Sequence, residues 1–310
     1  MLNPHIYLPI AGVSVSLWLL VGIGFVVGFL SGLFGVGGGF LMTPLLMMMG
    51  IPPTIAAATD SNQIVAASTS GTLAHWRLGN VDFKMGIILL VGGIIGGTLG
   101  VQIIKILRVV GNADFVIKIA YVIMLGVVGI YMFQESLRSL RSRVSPHPKI
   151  KPDTESWFAR VNRRLPLTIN FEKSGISLSL FTPLILGTLV GVLSALMGVG
   201  GGFIMVPVMV YMLRMPMHVV VGTSLFQVLF TCINVTFMQA YYNNTVDLIL
   251  ALILLLGSTI GAQMGARLGH RLKADQLKIV LSSIVLLVMI NMAIGLFLHP
   301  HLMFSLSGGH

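Results

Sequence analysis

The sequence predicts an all-α, polytopic integral membrane protein made of two homologous five-segment repeats, inverted relative to each other, with helices broken by Gly and Pro. Three observations carry this expectation. Only 9% of the residues are charged and the mean hydropathy is +0.95, whereas a soluble domain carries roughly a quarter of charged residues. Apolar runs of about 20 residues, enough to cross ~30 Å of hydrocarbon, recur from end to end. A long glycine-rich motif also occurs twice.

The first copy, residues 31–49, reads SGLFGVGGGFLMTPLLMMM, and the second, residues 194–212, reads SALMGVGGGFIMVPVMVYM. Eleven of these nineteen positions are identical at a constant offset of 163. The match continues through Pro53 and Pro216, then through Val81-Asp82 and Val246-Asp247 after a two-residue shift. It ends in Gly92, Gly96 and Gly100 against Gly257, Gly261 and Gly265. A duplication explains this pattern and chance does not.

The first half, residues 1–133, parses into apolar segments at 13–34, 40–51, 55–76, 85–107 and 115–133. The second, residues 176–310, gives 176–197, 203–213, 219–241, 246–268 and 277–298. The first stretch is the first of many, so it does not read as a cleaved secretory signal. The second segment of each half is too short to cross as a regular helix. It follows a glycine run and contains Pro44 or Pro207. Both residue types interrupt the hydrogen-bond ladder, so a broken or half-depth helix is expected there.

Residues 134–175 form the long water-compatible stretch, a basic connector with nine Lys and Arg against four acids and with Pro146, Pro148, Pro152 and Pro166. It reads as a linker with one short surface helix around 157–164. Its charge places it in the cytoplasm. Arg267, Arg271, Lys273 and Lys278 mark a second cytoplasmic loop, and Arg77 with Lys84 a third. Residues 241–247 and the tail after Leu298 lack Lys and Arg and face outward. Five crossings per half then invert the second copy. The loop with Lys105, Arg108 and Lys118 falls outside, against the rule, and a rival parse has four crossings per half with each glycine break re-entrant. The formal net charge of +10 fits loops beside anionic lipid better than nucleic-acid binding, because the cations cluster between apolar runs.

The densest local signal is the pair of glycine runs, Gly35, Gly37, Gly38 and Gly39, then Gly198, Gly200, Gly201 and Gly202. A dinucleotide fingerprint needs a further glycine where Phe40 and Phe203 stand, and no strand precedes either run. Glycine also permits close helix crossing, and the series Gly257, Gly261, Gly265, Gly269 fits that role. The GVGGG breaks with their prolines fit a substrate role, in which a bent backbone bares N–H groups near the midplane that hold an anion. One acid, Asp60, lies clearly inside an apolar segment, which speaks against a pump for divalent cations. An intramembrane acid is a functional candidate by default; the alternative is a helix cap near the interface. Ser61 and Gln63 flank it. In the second half Thr223, Gln227, Thr231 and Asn234 share one helix face, with Ser224 beside them. Hydroxyls that bond their own helix and amides that lock neighbouring helices are the bland alternative. Asp82 and Asp247 are expected N-caps. No metal or cofactor motif stands out, and the single Cys232 rules out a disulfide framework.

The doubled GVGGGFxMxP motif, Gly222-Thr223-Ser224 and the small-residue run Gly257 to Gly265 resemble the sulfite exporter TauE/SafE permeases over about residues 17–133 and 176–298. In the first half Thr59-Asp60-Ser61 stands where Gly-Thr-Ser is usual. The resemblance implies transport of sulfite, sulfonates or other sulfur-containing anions in a bacterial inner membrane. The expectation is therefore a secondary carrier for a small anion, working in export, with Asp60 as the one obvious proton site. The rival of a different class is a membrane-embedded enzyme using Asp60, His75 and Arg77 on a lipid or anionic head group. An enzyme concentrates titratable groups, whereas this chain spreads matched polar groups over both halves.

Overall fold

The computed structural model describes residues 4–34, 39–141, 166–213, 215–269 and 274–298. Ten helices lie in these segments. The first half holds α1 (Leu17–Phe34), α2 (Gly39–Met48), α3 (Pro53–Arg77), α4 (Phe83–Val109) and α5 (Ala113–Arg141). The second holds α6 (Phe181–Met197), α7 (Gly202–Pro207), α8 (Met217–Met238), α9 (Leu248–Gly269) and α10 (Ala274–Leu298). A π-helical turn, Val208–Met212, continues α7, and another, Gln239–Asn243, continues α8. Five stretches are long and apolar enough to cross a membrane: Phe83–Val109, Ala113–Gln134, Met217–Asn243, Leu248–Gly265 and Ile279–Leu296. The polar α3 is not among them, although its 25 residues are long enough. The protein is a multi-pass membrane protein.

Each half opens on a short antiparallel hairpin that the sequence reading did not anticipate. Strands β1 (His5–Leu8) and β2 (Val13–Ser16) precede α1, and β3 (Thr168–Phe171) and β4 (Ile176–Ser179) precede α6. Gly12 and Gly175 both sit at φ 66° in the two turns, a conformation that costs glycine nothing. The second hairpin straddles position 175, so the expected connector ends in ordered strand rather than linker. Helix α5 likewise runs on to Arg141, past the expected end of its segment. The short helix expected around 157–164 lies outside the described residues.

Helix packing joins one half to the other. The most extensive pairings are α1 with α9, α4 with α6, α3 with α8 and α5 with α10. Small residues set the distances. A Cβ on Gly28 would lie 2.2 Å from the Ser258 carbonyl oxygen, and one on Gly96 would lie 1.9 Å from the Thr188 carbonyl oxygen. Gly28, Gly96, Gly257 and Gly261 thus serve close backbone approach between helices. Neighbouring contacts also give directions. Gly24 meets Leu254, Gly28 meets Ser258 and Gly261 meets Phe25, so α1 and α9 run parallel. Gly92, Gly96 and Gly100 meet Leu184, Thr188 and Val192, so α4 and α6 run parallel. Gly71 meets Leu225 whereas Gly222 meets His75, so α3 and α8 run antiparallel.

Two aspartates tie the hairpins to opposite ends of the bundle. Asp82 caps α4, its Oδ1 accepting from Met85 N at 3.1 Å, and its Oδ2 accepts from the Ser174 hydroxyl in the β3–β4 turn. Asp247 caps α9, its Oδ1 accepting from Leu250 N at 3.1 Å and its Oδ2 from Ile10 N in the β1–β2 turn at 3.2 Å. The Asp82 node sits at the start of α4. Arg108, at the end of α4, donates to the Asn243 carbonyl near Asp247. Lys105 lies 5.4 Å from the centroid of the Tyr242 ring. These two cations are thus engaged by a backbone carbonyl and an aromatic face.

Candidate functional site

The candidate site grows from the two interrupted helices. Helix α6 stops at Met197 because Gly198, Gly200 and Gly201 adopt left-handed φ of 68°, 70° and 75°. A side chain at Gly198 is excluded twice over, since a Cβ would also lie 2.0 Å from the Ala57 carbonyl oxygen of α3. The last carbonyl of α6 takes its partner from elsewhere: the Tyr121 hydroxyl on α5 donates to the Met197 carbonyl. Helix α7 then restarts at Gly202 and ends at Pro207, where the π-helical turn begins. In the first half α2 starts at Gly39 and carries Pro44 inside it, buried. Gly35, Gly37 and Gly38 lie outside the described residues.

The two restarts meet. The rings of Phe40 and Phe203, each directly after its glycine run, stack with centroids 4.4 Å apart and planes within 7°. Both are buried. Ile64 of α3 touches both motifs. A Cβ on Gly39 would lie 2.4 Å from Ile64 Cδ1, and one on Gly200 would lie 3.1 Å from Ile64 Cγ2.

Asp60 lies one helical turn before Ile64 and is fully buried, at 0% exposure. The Thr43 hydroxyl of α2 donates to its Oδ2 at 2.8 Å, and a Cβ on Gly39 would sit 3.2 Å from that same oxygen. Oδ1 has no hydrogen-bond partner among the described residues. Tyr121 and Cys232 lie within electrostatic reach of the carboxylate, and Ser194 lies beside Cys232. Asp60 thus packs against the start of α2, seven residues inside α3 rather than at its N-cap. Gln63 is buried with its Oε1 unpartnered among the described residues, and the Ser61 hydroxyl donates to the Ala57 carbonyl of its own helix.

The second-half residues divide differently. Thr223, Gln227, Thr231 and Asn234 do share one face, and that face lies against α4. The Thr223 hydroxyl accepts from Asp82 N at 3.0 Å. Gln227 Nε2 donates to Thr231 Oγ1 at 3.0 Å, and a Cβ on Gly93 would lie 2.5 Å from that oxygen. Asn234 Nδ2 reaches Thr98 Oγ1 at 3.3 Å. The Ser224 hydroxyl bonds back to the Val221 carbonyl. These groups lock α8 to α4, although Gln227 Oε1 is left without a partner among the described residues.

Thr59 Oγ1 accepts from Asp247 N at 3.1 Å, which mirrors the Thr223–Asp82 contact. These matching contacts pair Thr59 with Thr223, 164 residues apart. Ala58-Thr59-Asp60, rather than Thr59-Asp60-Ser61, stands opposite Gly222-Thr223-Ser224, and Asp60 occupies the place of Ser224. The sequence reading missed Thr43, Tyr121 and Ser194. A single hydroxyl in an apolar run gives no signal until the fold brings it to Asp60 or to the break.

The enzyme alternative fares poorly in this geometry. Asp60 and His75 lie fifteen residues apart on the single helix α3, about 22 Å of rise, so they do not form one catalytic cluster.

Comparison with known proteins places the chain in a transporter family. The family model described as "Sulfite exporter TauE/SafE" matches residues 20–292. The chain is 28% identical over 221 residues to "Probable membrane transporter protein YunE" of Bacillus subtilis, covering 68% of this chain and 73% of that one. It is 30% identical over 213 residues to "Probable membrane transporter protein YjnA" of the same organism, covering the same shares. A "Sulfite exporter TauE/SafE family protein 5" of Arabidopsis thaliana is 46% identical over 55 residues, 18% of this chain and 12% of that one. No solved structure matches.

Proposed function

Because the chain belongs to the sulfite exporter TauE/SafE family, whose members it resembles as a membrane transporter, we propose that it carries a small sulfur-containing anion, such as sulfite or an organosulfonate, out of the cell across the bacterial inner membrane. The observation that carries this reading is the meeting of the two helix starts that follow the glycine runs, at Phe40 and Phe203, beside the buried Asp60. Interrupted helices at corresponding places in two repeats are the usual construction of a midplane substrate site. Helix restarts offer N–H groups to an anion without any formal positive charge.

The two halves are inverted copies, with the first repeat ending near 133 and the second beginning at the hairpin, 163 residues after His5. Several relations support this. The α1–α9 and α4–α6 pairings exchange first and fourth helices between halves, and α3 and α8 cross antiparallel. The hairpins cap opposite ends through Asp247 and Asp82. With α8 and α9 joined by a short turn, α1 and α3 run the same way, so the chain returns across the bundle between them. That favours five crossings per half over a re-entrant break.

The substrate class rests on the family. The direction rests on electrostatics: a monoanion leaving a cell that is negative inside gains about 2.3 kcal/mol per 100 mV. An anion would be repelled by a bare carboxylate beside it, so Asp60 carries a proton while the anion is bound. Among the described residues no cation neutralises it instead. Asp60→Asn in proteoliposomes tests this role: binding of the anion persists while the pH dependence of flux flattens. An unchanged rate and pH profile would make Asp60 a structural residue.

A further inference from the structure

The register fixed by Thr59 and Thr223 exposes a pattern along the seam between α3 and α8. At four-residue steps α3 presents Asp60, Ile64, Ser68 and Thr72 on one face. The equivalent face of α8, 164 residues on, presents Ser224, Val228, Cys232 and Thr236. Every one of these except Thr236 is buried. Asp60 Oδ1, Thr72 Oγ1 and Thr236 Oγ1 are buried atoms without partners among the described residues. Because the helices are antiparallel, Asp60 and Thr236 lie toward one end of the seam, and Thr72 and Ser224 toward the other. Orphaned buried polar atoms cost stability unless something binds them, so both ends of the seam are suited to a polar solute or water.

Between the two ends the seam is apolar. Ile64, Val228 and Cys232 form one small hydrophobic cluster of their own. The second glycine break presses on it: a Cβ on Gly200 would lie 2.7 Å from Cys232 Sγ, 2.8 Å from Val228 Cγ1 and 3.1 Å from Ile64 Cγ2. There is no room for an ion or its hydration shell at this level. We propose that Ile64 and Val228, equivalent residues of the two repeats, are the barrier of the transport pathway, an apolar constriction that separates two polar half-paths. Charged solutes do not pass a closed apolar constriction because they cannot shed their water there. Opening requires α3 and α8 to part, or the Gly198–Gly201 segment to withdraw.

This rests on the reading of the chain as a transporter, but its test needs no substrate. Cys232 is the single cysteine of the chain and sits inside the barrier. The measurement is the rate at which a small, anionic, membrane-impermeant methanethiosulfonate modifies it in the full-length protein in liposomes. Native protein reacts slowly from either side. Val228→Thr, which keeps the shape and adds a hydroxyl, and Ile64→Ala, which removes bulk, each raise the rate by about tenfold or more. Ile233→Ala, on the lipid-exposed side of α8, leaves it at the native value. The proposal fails if folded Val228→Thr and Ile64→Ala react at the native rate. It fails equally if Ile233→Ala accelerates as much, or if native Cys232 reacts like a free thiol. A failure here leaves the anion-transport reading standing, and loss of flux for every anion leaves the barrier result readable.

Discussion

The hydroxyl of Thr223 accepts a hydrogen bond from the backbone N–H of Asp82 at 3.0 Å, across 141 residues of sequence. The Thr59–Asp247 contact at 3.1 Å does the same in the other direction. Both pairs are buried, so removing the hydroxyl orphans an N–H at the start of α4 or α9. Thr223→Val and Thr59→Val should each lower stability by about 1–3 kcal/mol and by similar amounts. Thermal unfolding in detergent checks this; a loss in only one of the two variants would contradict the equivalence.

Close backbone contact makes a sharper contrast. Gly28 and Gly96 have no space for a methyl group, whereas nothing lies within 4 Å of a Cβ at Gly22. Gly28→Ala and Gly96→Ala should cost about 1–3 kcal/mol or more through forced separation of α1 from α9 and of α4 from α6. Gly22→Ala should be neutral. Melting temperatures and the yield of monodisperse protein report the difference.

The helical segments, the second break and both aspartate caps were legible in the sequence, because length, glycine density and the Val-Asp pairs each leave a local mark. The hairpins were not, since four-residue strands carry too little pattern to separate from the apolar segment or the linker beside them. The register at Asp60 was missed for a related reason. The offset is 163 at Pro53 and Pro216 but 164 at Thr59 and Thr223, so the extra residue lies in the first turns of α8, where a helix absorbs it without a gap. The face of Thr223, Gln227 and Asn234 was correctly grouped, but only the fold tells that it meets α4 and not the break.

The nine basic residues of the 134–175 connector predict which end of the bundle faces the cytoplasm. On a Cys232→Ser background, Tyr241→Cys, exposed beside the Asp247 node, should react with an impermeant thiol reagent added to intact cells. Leu78→Cys, exposed at the Asp82 end, should react only after the membrane is opened. The reverse pattern would turn the protein over in the membrane.

Thr43 is the one described hydrogen-bond donor to the Asp60 carboxylate, at 2.8 Å. If that carboxylate exchanges a proton during transport, Thr43→Val should shift the pH profile of flux, and Asp60→Asn should flatten it. Thr43→Ser should restore the native profile. Equal profiles in all four proteins would remove Asp60 from the transport cycle.

The most direct test of the account is anion flux in proteoliposomes holding the purified full-length protein, with sulfite, thiosulfate, an organosulfonate and sulfate offered separately under an imposed membrane potential. The account predicts saturable movement of at least one reduced-sulfur or sulfonate anion toward the positive side, faster than in empty liposomes and slower than native for Asp60→Asn at its pH optimum. Flux of every anion at the level of empty liposomes, with the protein folded and correctly inserted, would contradict it.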